Sequence, residues 1–119
     1  MQTVEIPTHQ WVPFLDEFSR RHYGQTCTLE LIGRDIGAVA EARSLPLIGV
    51  SVDVKGDDCE QIEVSVGDSP ERYVMHAIAH PSSIRVARTD RGEERALQIE
   101  SDDGPMTLLR LEPGRQDVC

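Results

Sequence analysis

Residues 11–24 read WVPFLDEFSRRHYG, and after Gly24 the chain switches to alternating apolar and polar residues. Trp11, Phe14, Leu15 and Phe18 fall at i, i+3, i+4 and i+7, the spacing that lines one face of a helix. Four of the five aromatic residues of the chain, Trp11, Phe14, Phe18 and Tyr23, lie in this stretch, and the fifth is Tyr73. Each large apolar side chain fully buried contributes roughly 1.5–3 kcal/mol, so the stripe predicts an anchor of the fold and not an appendage. Thr8 is the candidate N-cap and Gly24 the candidate stop. Pro13 predicts a short turn over Thr8–Trp11 and a helix proper over Val12–Tyr23.

Beyond Gly24 the period becomes two. Thr26–Ile32, Ile48–Val54 and Glu60–Val66 alternate apolar and polar side chains, the pattern of strands with one wet face. Ile84–Thr89, Glu94–Glu100 and Met106–Leu111 continue the series. Gly33–Gly37, Gly56-Asp57-Asp58, Arg91-Gly92 and Asp102-Asp103-Gly104 supply turn chemistry at short intervals. The chain is therefore predicted to be α+β and mainly β: a curved antiparallel sheet, or partly closed barrel, of seven to eight strands with one packed N-terminal helix. Leu109 and Leu111 occupy one face of the last strand and Met106 and Leu108 the other, which predicts that the helix docks there. Residues 71–80 read two ways. Ser69-Pro70 opens a helix signature, whereas Tyr73, Val74 and Ile78 favour the pleat, and the flanking strands tip the reading to strand.

The 119 residues are read as one domain, 1–119, with frayed ends at 1–4 and 113–119. No apolar run reaches the length of a membrane span, and the N-terminus lacks a signal-peptide layout, so the expected location is the cytoplasm. Cys27, Cys59 and Cys119 are odd in number and lack metal-binding spacing, which predicts reduced thiols. Twenty-one acidic against twelve basic residues give a net charge of −9, which repels nucleic acid and anionic lipid. Eleven of the basic residues are Arg, a skew that genome composition explains.

Glu5-Ile6-Pro7 with Trp11 and Phe14–Arg20, then Glu41–Gly49, Gly67-Asp68-Ser69-Pro70, Ile99–Gly104 and Thr107–Arg110 together resemble a family of small acidic bacterial proteins of about 120 residues classed as a domain of unknown function. The resemblance spans most of Val4–Leu111. It implies no activity, and no catalytic residue is carried over from it.

Chemistry-bearing constellations are sparse. On a strand, His76 and His80 stand roughly 13 Å apart, too far to share an ion that each must approach to about 2.0 Å. On a helix the spacing would suit, but the following Glu of a metalloprotease pattern is missing. Asp57, Asp58 and Glu60, and Asp102 with Asp103, read as turn acids and not as a calcium loop. Cys27 alternates inward as a small core residue, and the acids around Cys59 disfavour its thiolate. No nucleophile elbow, phosphate loop or dinucleotide fingerprint occurs. No metal, cofactor, nucleic acid or membrane is therefore expected, and an enzyme lacks a positive warrant. The remaining reading is protein association, as a homodimer or with another protein, through an edge at Leu45, Leu47 and Ile48. The alternative is a small-molecule site between helix and sheet, with Trp11 or Tyr73 as wall and Arg85 or Arg110 seeking an anion.

Overall fold

The computed structural model describes residues 1–55 and 58–113. The expected turn at Gly56-Asp57, the side chains of Asp58 and Cys59, and the fraying beyond 113 lie outside the described residues. Strand β1 (Gln2–Ile6) leads through a single turn of 3₁₀ helix (Thr8–Gln10) into helix α1 (Trp11–His22). Seven strands come after it: β2 (Thr26–Gly33), β3 (Gly37–Lys55), β4 (Asp58–Ser69), β5 (Arg72–Ala79), β6 (Pro81–Arg88), β7 (Glu94–Ser101) and β8 (Met106–Leu111).

All pairings are antiparallel, in one open sheet of order β1-β6-β7-β8-β2-β3-β4-β5. Laid flat, eight strands about 4.8 Å apart would put the two edges roughly 34 Å from each other. Yet Ile6, Ile84 and Val86 from one end and Ile62, Val64 and Ile78 from the other belong to a single buried cluster. The sheet is therefore curled over itself, and the helix adds Trp11, Leu15 and Phe18 to the same cluster. The sheet is curved but does not close into a barrel, so among the described residues both β1 and β5 keep a free edge.

The stripe on α1 behaves as its spacing requires. Trp11, Leu15 and Phe18 are buried, and Phe14 packs at the margin of the core. The Trp11 Nε1–H donates to the Ile6 carbonyl at 2.9 Å, satisfying the one polar atom the indole carries inside. Thr8 forms no side-chain cap; the 3₁₀ turn starts the helix with Gln10 N–H donating to Pro7 O at 2.9 Å. Pro13 sits in the first turn of α1, where its missing donor costs nothing. The helix ends as expected, with Gly24 at φ +83° and its N–H donating to Leu47 O at 2.8 Å.

Two expectations need correction. The helix packs chiefly against β3 and not β8: Leu108 is buried on the outer face of the sheet, between its ladder neighbours Gln98 and Glu30, and needs no helix to cover it. Residues 1–4 do not hang free either, because Gln2–Ile6 pairs with β6 from Gln2↔Arg88 to Ile6↔Ile84.

Residues 72–79 form a strand, so Ser69-Pro70 is no helix start. Pro70-Glu71 is a two-residue connection between paired Ser69 and Arg72, where proline suits the first central position of a tight turn. A register shift at Gly67–Ser69 precedes it. Gly67 there has φ +153°, and a Cβ on it would stand 2.5 Å from Arg72 O and 2.8 Å from Tyr73 Cα.

Candidate functional site

The side chains expected to form a site do not converge. Trp11, 2% exposed, is a core residue and not a pocket wall. Tyr73 points outward from β5. Arg85 on β6 pairs with Glu100 and, at 3.4 Å, with Glu5, while Arg110 on β8 lies 3.0 Å from Glu30. The ladder Arg85↔Gln98↔Leu108 puts both arginines on the outer face, across the sheet from the helix.

The stretch expected to offer an edge is equally occupied. Leu45 and Leu47 are buried in the core and only Ile48 is exposed. Leu45 O accepts the Cys27 thiol at 3.3 Å, and Leu47 N–H donates to Gln25 O at 2.9 Å. Val50 gives its N–H to Ser19 Oγ at 2.8 Å and takes the Ser19 hydroxyl on its carbonyl at 2.9 Å. The bend around Pro46 is real, with Ser44 at φ +52°, but it lies inside a 19-residue strand. Residues 37–46 of that strand pair with β2 and residues 47–55 with β4. Cys27 keeps its expected inward role, and burial, helped by the charge of Glu112, pushes its thiol pKa up to about 12.

Of the two edge strands, β5 is the one without a charged residue beyond its first position. It is the last strand in the sheet order, paired with β4 alone and in unbroken register from Gln61↔Ala79 to Gly67↔Tyr73. Tyr73-Val74-Met75-His76-Ala77-Ile78-Ala79 contains no Asp, Glu, Lys, Arg or Pro. Val74, His76 and Ile78 face inward, while Tyr73 and Met75 stand 49% and 55% exposed on the other side. Nothing of what usually guards an edge, neither charge, proline nor bulge, is present over these seven residues.

A second feature has no counterpart in the sequence reading. The Glu94 side chain at the start of β7 is 8% exposed and ringed by basic side chains from two other elements. Arg21 Nη2 lies 3.0 Å from both of its carboxylate oxygens, His22 Nε2 2.7 Å from one, and Arg88 Nη2 3.6 Å away. His22 Nδ1 contacts Gln25 Oε1 at 2.7 Å, and Gln25 Nε2 donates to Glu112 O at 2.6 Å. This clasp fastens the C-terminal end of α1 to β6 and β7, beside an open polar cleft of about 660 Å³. Burial alone would raise the pKa of Glu94, but the hydrogen bonds and charges of His22 and Arg21 outweigh it and hold the carboxyl below its ordinary value.

A carboxyl depressed in the folded state stabilises the fold above its unfolded pKa, and that stabilisation is lost as pH falls through the folded one. Glu94→Gln is therefore expected to cost about 1–3 kcal/mol at pH 7. The melting-temperature gap to the parent protein should close as pH drops well below 4.5, the value of a free carboxyl. A gap equal at pH 7 and pH 3 would mean that the clasp is not ionic.

Ser101, His80 and Asp103 have the residue types of a hydrolytic triad, yet their geometry is that of a turn. The Ser101 hydroxyl donates to Ala79 O at 2.7 Å and accepts Asp103 N–H at 3.1 Å, while His80 pairs with Asp103 directly. A triad needs the serine on the imidazole. His76 faces inward from the middle of β5 and takes no part in this exposed pair. Among the described residues, no three His, Cys, Asp or Glu side chains gather in a way that could hold a metal ion.

The chain belongs to a family of unknown function, DUF5335, whose model matches residues 2–117. It is 29% identical over 113 residues to an uncharacterized protein of Aquifex aeolicus (strain VF5), an alignment that covers 95% of each chain. No solved structure matches it.

Proposed function

We propose that this family member is a non-enzymatic association module of the bacterial cytoplasm, and that its partner is a second copy of itself, joined edge to edge through β5. The supporting observation is the uncharged, unbulged, terminal strand Tyr73–Ala79. An antiparallel strand edge is complementary to its own copy about a two-fold axis. Two chains of charge −9 repel each other, and this neutral strand is where their backbones can meet without opposing carboxylates. Exposed Tyr73 and Met75 add apolar area beside the new ladder. The same net charge argues against nucleic acid or an anionic membrane as partner, and among the described residues no helix is long and apolar enough to cross a membrane.

Salt shortens the long-range repulsion to about 8 Å at physiological ionic strength, so dimerisation should strengthen as salt is added. Met75→Lys, which places a charge on the strand, should abolish it and leave the melting temperature close to that of the parent. Sedimentation equilibrium over a range of protein and salt concentrations reads both effects. A parent protein that stays monomeric throughout, or a Met75→Lys variant that dimerises as well as the parent, would sink the proposal.

A further inference from the structure

The inward faces of β2, β5 and β8 part company at one end of the core. Leu31, His76, Ile78 and Thr107 line a cleft of about 230 Å³ there, with Ser101, Asp103 and Pro105 at its rim. The lining is mostly apolar, and its two inward polar groups are distinctive. Thr107 is 1% exposed, and its Oγ1 has no hydrogen-bond partner among the described residues. A buried hydroxyl without a partner is costly, and native interiors rarely tolerate one without a reason. His76 is partly buried, and burial pushes its pKa down against the opposing influence of Glu41, so near pH 7 the ring is neutral and offers one donor and one acceptor.

We infer that this cleft binds a small, uncharged, mainly apolar molecule with a single hydrogen-bonding group, which pairs with the Thr107 hydroxyl or the His76 imidazole. An ion would be disfavoured there, because Asp103, the one charged residue of the lining, is already paired with His80 and the rest gives a charge nothing to replace its water. The size suits a single ring, since an apolar cavity of about 150 Å³ already admits benzene. This site differs from the one expected between helix and sheet: its walls are strands and the β7–β8 turn, and neither Trp11 nor an arginine takes part. The cleft shares residues 76–79 with the β5 edge proposed for dimerisation, and its test reads ligand binding and not oligomeric state.

Phenol and toluene are the probes, near in shape and differing in the hydroxyl. Titrated into isotope-labelled protein and followed by two-dimensional NMR, phenol should give saturable shifts centred on Leu31, Ile78, Ser101 and Thr107, and should bind more tightly than toluene. Thr107→Val keeps the shape and removes the hydroxyl, so it should weaken phenol about five- to tenfold, the worth of one hydrogen bond, and leave toluene binding equal or tighter. His76→Phe, which fills the space, should abolish both sets of shifts. The inference is overturned if phenol shifts nothing saturably at these residues, if the parent binds phenol and toluene equally, or if both variants bind phenol as the parent does.

Discussion

Trp11→Ala and Phe18→Ala should each remove about 3–5 kcal/mol of stability, the cost of deleting a buried aromatic side chain. For a domain whose net stability is about 5–15 kcal/mol, that is about a fifth of the total or more. Trp11 loses both its packing and its bond to Ile6 O, the residue that ends β1, so its removal loosens the helix and the neighbouring strand together. Phe18 is fully buried, its ring 5.9 Å from that of Phe14 and 4.6 Å from that of His22. Phe14 lies at the margin of the core and should cost less on truncation, although helical spacing alone makes it the equal of Trp11. Denaturant titrations monitored by circular dichroism would show the order, and midpoints within error of the parent for both Trp11→Ala and Phe18→Ala would refute the packing.

Gly67→Ala should be as damaging for a different reason. Its Cβ would meet the Arg72 carbonyl oxygen at 2.5 Å and Tyr73 Cα at 2.8 Å, and both are backbone atoms of the paired strand that cannot swing aside. The φ of +153° adds backbone strain for any residue with a side chain. Strain and overpacking of about 1–3 kcal/mol each give an expected loss near 4 kcal/mol and a displaced β5. Gly104 is the control, since a Cβ there meets nothing within 4 Å and its backbone is unstrained. If Gly67→Ala and Gly104→Ala melted alike, the close approach of β4 and β5 would be wrong. If Gly67→Ala melted early yet dimerised normally, the edge would be independent of the hairpin that presents it.

What the sequence made legible was periodic. The helix stripe and the alternating runs of β2, β4, β6, β7 and β8 fall where their spacing puts them, because each has one wet face and one dry face. β1 escapes detection because only Ile6 of its five residues is buried, which leaves no alternation to find. The first half of β3 is hidden by its bend, since Ser44 in a left-handed conformation and Pro46 two residues later look like the end of a strand when they mark its change of partner. The misplaced interface at Leu45, Leu47 and Ile48 has the same origin. An apolar segment at a supposed corner resembles an edge until the residues that occupy its backbone groups, Gln25 and Ser19, are located in space. The Glu94 clasp and the Thr107–His76 cleft are beyond reach for another reason. Arg21 and Glu94 are 73 positions apart, and Thr107 lies on a different strand from His76. Only the curl of the sheet brings such groups together.

The length of β3 has a thermodynamic consequence. One continuous backbone carries the β2 pairing in its first half and the β4 pairing in its second, and Ser19 grips it at Val50, just past the changeover. An opening that frees either half must travel along the shared strand and release the helix before it can stop. The two arms of the sheet are thereby coupled into one cooperative unit, with its most protected amides around Leu47 and Val50 and its most permissive at the outer strands β1 and β5.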